Sequence, residues 1–427
     1  MPHALPRLAL APILGLFLAG TAQAKPVCPA DGPDPAFSAK AAWEELRAEM
    51  AGNYAYWDRI DAAKAFDQAA PAMLAAPDRL AFADRLETLL LVFRDSHLHV
   101  SPTSSPSSAW VPSAADMWFE ASSGKLVVRD VKGGSVAAER GVRPGWELVA
   151  IDGADPRTAV RARFAAIGLT PDAAQEVYGV NAMASGKLKQ ARHFTFRVGK
   201  KKVEIDLPPG YDSVRRPAEL VTLTQSRDAA GHLVGVLRIN NSLGDNKLIA
   251  VFDQALGSLP QNAHVIIDMR DTPSGGNSTV ARGIMGHFVD AARPYQRHEL
   301  TAERVQFGVP RIWTEYVEPR GSRYARPVVL AGLWTGSMGE GIVIGLNAAA
   351  GSPVVGSQMG QLLGAMINDE LPASCLTVSF ANEKLWHFDG RPREDFMPQI
   401  LVAAADTSVD GRDTAMEKAM ALASTGD

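Results

Sequence analysis

The sequence predicts an α/β protein with a helical N-terminal region and a separate β-rich insertion. Three observations carry that prediction. Residues 36–94 are Ala-rich with apolar positions at helical spacing. Residues 125–207 alternate short strands with Gly-containing turns. From about Leu233 onward, short apolar runs rich in β-branched residues alternate with helical patterns.

In the first region Trp43, Leu46 and Met50, then Leu86, Leu89, Leu90 and Phe93, recur as a helix face would require, and Pro71 and Pro77 predict breaks between roughly three helices. The pattern stops at Arg94-Asp-Ser-His-Leu-His-Val100, which reads as a turn entering a strand. A Ser/Pro-rich loop follows over 101–113. In the second region 125–131 alternates as a strand, 134–145 gives a short helix and turn, 147–153 a strand with a tight turn, and 194–207 a hairpin. In the third, 233–239 and 264–270 read as strands joined by a helix bearing Leu248, Ile249, Phe252, Leu256 and Leu259. A unit of that size makes a parallel pair with a crossover. The pattern repeats as strand 327–333, helix 339–350 and strand 353–356, with a further strand at 376–381 and a closing helix over 413–423.

The chain has 427 residues, with 43 basic and 47 acidic side chains and no basic stripe, which argues against a nucleic-acid partner. Its first 24 residues read as a signal peptide: Arg7, an apolar core over 8–19 broken by Pro12, and the small-residue site Ala22-Gln-Ala24. The core is too short to span a bilayer, and Lys25-Pro-Val before Cys28 is no lipoprotein box, so the expectation is an exported, periplasmic protein without stable membrane insertion. Cys28 and Cys375 could pair after export or remain two thiols, and neither has the neighbours of a metal site or a thiol nucleophile. No metal or organic cofactor is implied, and the oligomeric state is open.

Four segments could carry chemistry. In Leu333-Trp-Thr-Gly-Ser-Met-Gly-Glu340, Ser337 falls on a strand-to-helix turn, where its hydroxyl projects and the N–H groups of the first helical turn face any negative charge beside it. Acyl-transfer nucleophiles need that geometry, although a serine there is also a good helix cap. The turn of Asp268-Met-Arg-Asp-Thr-Pro-Ser-Gly-Gly276 would lie beside it, beyond the strand ends, so the N–H of Gly275 or Gly276 could join that of Met338 as an oxyanion hole. Asp95-Ser-His-Leu-His99 offers two imidazoles, which strand alternation places on one face with Ser96 opposite. As a metal pair they lack third and fourth ligands. In the segment 386–398, Glu394 or Asp395 could orient an imidazole.

In order and character these segments resemble the C-terminal processing peptidases, or tail-specific proteases: helical start, "D-H" turn, "D-R---GG" strand, "T-S--E" nucleophile and terminal "G---E----P-I-V" run. The β-rich insertion resembles a PDZ domain, with Trp146 where its series carries Asp and no clear carboxylate-binding loop before Leu126. The resemblance implies a crotonase-like α/β core of the ClpP/crotonase type over 211–427. It also implies a PDZ-like domain over 114–210 and a helical region over 25–113.

Gln361 stands nearest the place of the Lys that the Ser–Lys branch uses, whereas Asp95-Ser-His97 matches the tricorn-like Ser–His branch. That nominates Ser337 as nucleophile, His97 as base, Ser96 and Glu394 as holders of the ring, and Glu340 as an internal structural partner. It implies an endopeptidase acting on polypeptides, held through their C-terminus if the PDZ-like unit binds peptide. An inactive ligand carrier on the same scaffold, or a hydrolase of non-peptide esters or amides, is the alternative. The extra Ser274 and Met359 where Thr is common fit the carrier; Ser337, His97 and Glu394 together fit the enzyme.

Overall fold

The helical periodicity at the start becomes α1 (Ala39–Asn53), α2 (Ala62–Leu74) and α3 (Arg79–Leu90) in the computed structural model, which describes residues 37–104, 107–228, 230–407 and 412–425. The leader at 1–24 and Cys28 lie outside the described residues. Each helix begins on a side-chain cap, from Ser38, Asp61 and Asp78 in turn. Pro71 does not break the second helix, contrary to expectation. It sits inside α2, and the carbonyl it leaves unbonded belongs to the solvent-exposed Asp67. The chain turns only at Ala75–Asp78.

After β1 (His99–Ser101) come β2 (Met117–Ser122), β3 (Lys125–Val131), α4 (Val136–Glu139), β4 (Glu147–Ile151), α5 (Pro156–Ala165), α6 (Ala173–Ser185), β5 (Arg192–Val198) and β6 (Lys201–Leu207). β2 to β6 form an antiparallel sheet in sequence order, with β2 at one edge. Phe119, Phe194 and Phe196 are fully buried and stacked on its inner face, and α5 and α6 cover them with Val160, Phe164 and Val180.

The remainder runs α7 (Gly210–Ser213), β7 (Val221–Arg227), β8 (Leu233–Ile239), α8 (Lys247–Gly257), β9 (His264–Asp268), α9 (Ser278–Met285), β10 (Arg293–Leu300), α10 (Thr301–Phe307), β11 (Arg311–Val317), β12 (Val328–Ala331), α11 (Met338–Ala350), β13 (Val354–Gly356), β14 (Ala365–Leu371), β15 (Leu376–His387), β16 (Ile400–Leu401) and α12 (Thr414–Thr425). One sheet has the order β16-β13-β12-β9-β8-β7, parallel throughout except for β7. Its inner strands β8, β9, β12 and β13 are apolar on both faces, as a sheet covered on both sides requires, while the edge strand β7 is largely polar and exposed. Val265, Ile267 and Val329 pack under α8, α9 and α11, while Ile266, Val328 and Leu330 pack against α12.

The other sheet is β1-β15-β10-β11, with β14 also on β15. Here the expected strand at 376–381 continues to His387, because β10 and β14 offer it partners along its length. This sheet holds the segments before β1 and β14 against the end of the parallel sheet. Among the described residues no helix is long and apolar enough to cross a membrane.

Candidate active site

β12 and β9 run parallel, and their pairing continues past the strand ends. Thr272 N–H donates to Trp334 O, Gly336 N–H to Thr272 O, and Thr335 Oγ1 to Met269 O. The two turns are thereby tied together beyond the carboxyl ends of the strands. Trp334 is fully buried and donates Nε1–H to Ala115 O, which anchors the turn to the segment before β2. Ser337 then has φ 52° and ψ −117°, close to the first central residue of a type II′ turn, which an L-residue adopts only under strain. That backbone bends the chain sharply into α11, whose residues Gly339 to Leu346 are all buried. Gly339 lets this helix approach the sheet: a Cβ there would lie 2.3 Å from Thr272 Oγ1.

The imidazole beside Ser337 comes from the turn that leads into β1 of the other sheet. His97 is 3% exposed, with Nε2 3.1 Å from Ser337 Oγ and Nδ1 2.6 Å from Leu363 O. A carbonyl can only accept, so Nδ1 carries the ring proton and Nε2 presents its lone pair to the serine hydroxyl. Burial holds the imidazole down at about 3, so it is neutral at ordinary pH. Asp95 locks both partners: its Oδ1 accepts from His97 N–H (2.9 Å) and Leu363 N–H (3.2 Å), and Oδ2 from Tyr54 O–H (3.0 Å). Burial pushes this carboxyl up to about 6, and the hydrogen bonds from His97, Tyr54 and Leu363 partly offset it. Arg393, 2% exposed, donates to Leu362 O and Gly364 O on either side of the orienting carbonyl.

Glu340 is fully buried and accepts from the N–H groups of Ser337 (2.8 Å), Gln361 (2.9 Å) and Leu362 (3.1 Å), with Arg393 3.9 Å away. It thus joins the Ser337 turn to the loop that carries Leu363. Burial raises it to about 7, opposed chiefly by Arg393. Gly275 lies directly against the serine: at φ 63°, a Cβ on it would be 2.3 Å from Ser337 Cβ and 2.7 Å from Met338 N. Its N–H donates to Thr272 O. The N–H groups of Gly276 and Met338 have no hydrogen-bond partner among the described residues, and both residues line a cleft of about 400 Å³ that opens on Ser337.

Two nominated residues lie elsewhere. The Ser96 hydroxyl is hydrogen-bonded to Tyr178 O–H, 3.1 Å away, rather than to the ring. The Glu394 side chain lines a separate pocket with Tyr56, Asp58 and Arg59, and its Oε2 has no partner among the described residues. Only its backbone meets the site, as Glu394 O accepts from Gln361 Nε2. The place against Nδ1 is filled by Leu363 O, so neither side chain holds the imidazole. Strand alternation also fails to pair His97 with His99, because His97 precedes β1. His99 packs against Trp110 with ring centroids 4.1 Å apart and the rings tilted by 31°.

Solved structures share this fold. Mature CPAF complexed with lactacystin matches with a TM-score of 0.62 at 16% identity, covering 91% of this chain and 99% of that one. The photosystem II D1 C-terminal processing protease matches with a TM-score of 0.54 at 14% identity, over 86% and 93%. This chain has the fold of a C-terminal processing protease. No protein-family model and no curated protein matches the sequence.

On this fold the serine and its neighbours leave no room for a side chain at Gly275. Gly275→Ala should therefore cut activity by about a hundredfold or more through displacement of Ser337, with the global fold retained. Turnover of that variant within a fewfold of wild type would show that the close approach does not matter.

Proposed function

We propose that the chain is an exported serine endopeptidase of the C-terminal processing type, built as a crotonase-like core over 211–427 with a PDZ-like insertion over 114–210. The observation that carries the proposal is the buried His97 imidazole, 3.1 Å from Ser337 Oγ, with its other nitrogen held by a backbone carbonyl. Ser337 Oγ attacks the substrate carbonyl while His97 Nε2 takes its proton. The negative charge on the carbonyl oxygen is met by the free N–H groups of Gly276, in the turn after β9, and of Met338, at the start of α11. Collapse of the intermediate breaks the C–N bond, and His97 returns the proton to the leaving amine, leaving an acyl-enzyme on Ser337. Water, deprotonated by the same nitrogen, then releases the acid. Leu363 O orients the imidazole and its dipole faces the imidazolium, a task that a carboxylate performs in a Ser-His-Asp triad.

The test is to label the mature protein with a fluorophosphonate and to assay it on polypeptides. Labelling together with peptide cleavage supports the proposal. Labelling with hydrolysis of esters alone points to a non-peptide hydrolase. No labelling of folded protein returns the chain to the carrier reading.

In the PDZ-like unit, β2 is an edge strand that could pair with a peptide. Asn181 on α6 takes that role from within: its carboxamide accepts from Phe119 N–H at 2.8 Å and donates to Phe119 O at 3.0 Å. We infer that this edge acts as a wall rather than a tether. A library of C-terminal peptides should show no preference on the Ser337→Ala protein, and Asn181→Ala, which frees Phe119, should raise peptide affinity. Sequence-selective binding that Asn181→Ala leaves unchanged would restore the tether.

A further inference from the structure

Three chemistry-bearing side chains converge far from Ser337, at the opposite end of the parallel sheet. Asp228 follows β7, His232 precedes β8 and His264 begins β9. β7 and β8 are antiparallel with Arg227 opposite Leu233, so Asp228 and His232 stand side by side, and Asp228 N–H donates to His232 O. β8 and β9 are parallel with Val234 opposite His264. The period-two alternation of a strand then puts His232 on the same face as His264.

We propose that Asp228, His232 and His264 form a binding site for a divalent transition ion of the zinc class. One ligand atom from each lies within 4.8 Å of the others. Asp228 Oδ2 and His232 Nδ1 are 3.2 Å apart, close to the edge of about 3.3 Å that ~2.0–2.1 Å bonds give in a tetrahedron. The two imidazoles meet edge to face with centroids 5.3 Å apart, so His264 sits beside the Asp228–His232 pair. Asp228 is pre-set for this. Its Oδ1 is engaged by the N–H groups of Ala230 and His232, which fixes the carboxylate and turns Oδ2 toward the ring. Two imidazoles and one carboxylate suit zinc or copper better than calcium or magnesium, and leave the fourth position for water. An ion there would clip the edge hairpin β7–β8 to the neighbouring strand β9, and would take no part in hydrolysis.

The experiment is calorimetric titration of the tag-free, chelator-stripped mature protein with zinc sulfate, beside His264→Ala, Asp228→Asn and, as a control, His193→Ala, which removes another exposed imidazole paired with a carboxylate (Asp206). The expected result is one equivalent of zinc, weakened about tenfold or more in His264→Ala and in Asp228→Asn and unchanged in His193→Ala. The zinc-loaded protein should melt higher, and its fluorophosphonate labelling should match that of the stripped form. Absence of saturable binding, or equal affinity in His264→Ala and wild type, overturns the site. Loss of labelling on stripping would overturn its independence from Ser337. The binding stoichiometry, the variant affinities and the melting shift do not depend on the serine peptidase reading, whereas the labelling comparison does.

Discussion

Ser337→Ala should lower polypeptide turnover by about 10⁶-fold, the loss expected when the nucleophile of a serine triad is removed. The fold should be barely touched. The hydroxyl is hydrogen-bonded to His97 Nε2, and such a bond contributes about 1 kcal/mol. The strained backbone is common to both side chains, since alanine at φ 52° is no easier than serine. Glu340 still receives the N–H of residue 337, Trp334 still anchors the turn, and α11 stays buried. Fluorophosphonate labelling should vanish with turnover, while the melting temperature moves by a few degrees at most. An alanine variant that cleaves at more than a trace of the wild-type rate would place the nucleophile elsewhere.

Much of this was readable from residue types. The strands near 233–239, 264–270 and 327–333, with the helices after the first and the last of them, stood out because a sheet covered on both faces needs continuous apolar runs; α9, which follows β9, did not. The serine turn was legible because small residues cluster between such a run and a helix. β10, Arg-Pro-Tyr-Gln-Arg-His-Glu-Leu, was not. It is polar because its side chains meet other polar groups, as where His298 reaches Glu315 and Glu383, and that pairing is long-range. The ring-holding group was missed for a different reason. Leu363 acts through its carbonyl, and a backbone atom leaves no mark in side-chain identity. Searching for a carboxylate therefore pointed to Glu394. The one local signal was Asp95, two residues before His97, whose carboxylate binds the N–H groups of both His97 and Leu363. Glu340 and Arg393 were visible as charges, but their work lies in complete burial, which spacing alone does not predict.

His97→Ala should cost about 10⁴- to 10⁶-fold in turnover, and His99→Ala no more than about tenfold. The two imidazoles are two residues apart in sequence, yet only one faces the serine; His99 rests on Trp110 and reaches no reacting atom. Equal losses in the two variants would undo the assignment. The pH profile gives a second, independent reading. Were the imidazole the only titrating group, activity would persist down toward the value of about 3 at which buried His97 gains a proton. Glu340 and Asp95, raised by burial to about 7 and about 6, protonate first. A protonated Glu340 loosens its hold on Ser337, Gln361 and Leu362, and a protonated Asp95 loosens His97 and the Leu363 carbonyl together. Turnover should therefore fall between pH 7 and 6. Stability should move the other way for these two groups. Carboxyls whose folded values lie above their ordinary ones near 4 contribute most below that value and lose the contribution as pH rises to 7. The site is thus held in its working arrangement by two buried charges that the fold alone would rather neutralise. An acid limb that stays in place in Asp95→Asn, with His97 intact, would show that Asp95 does not set it.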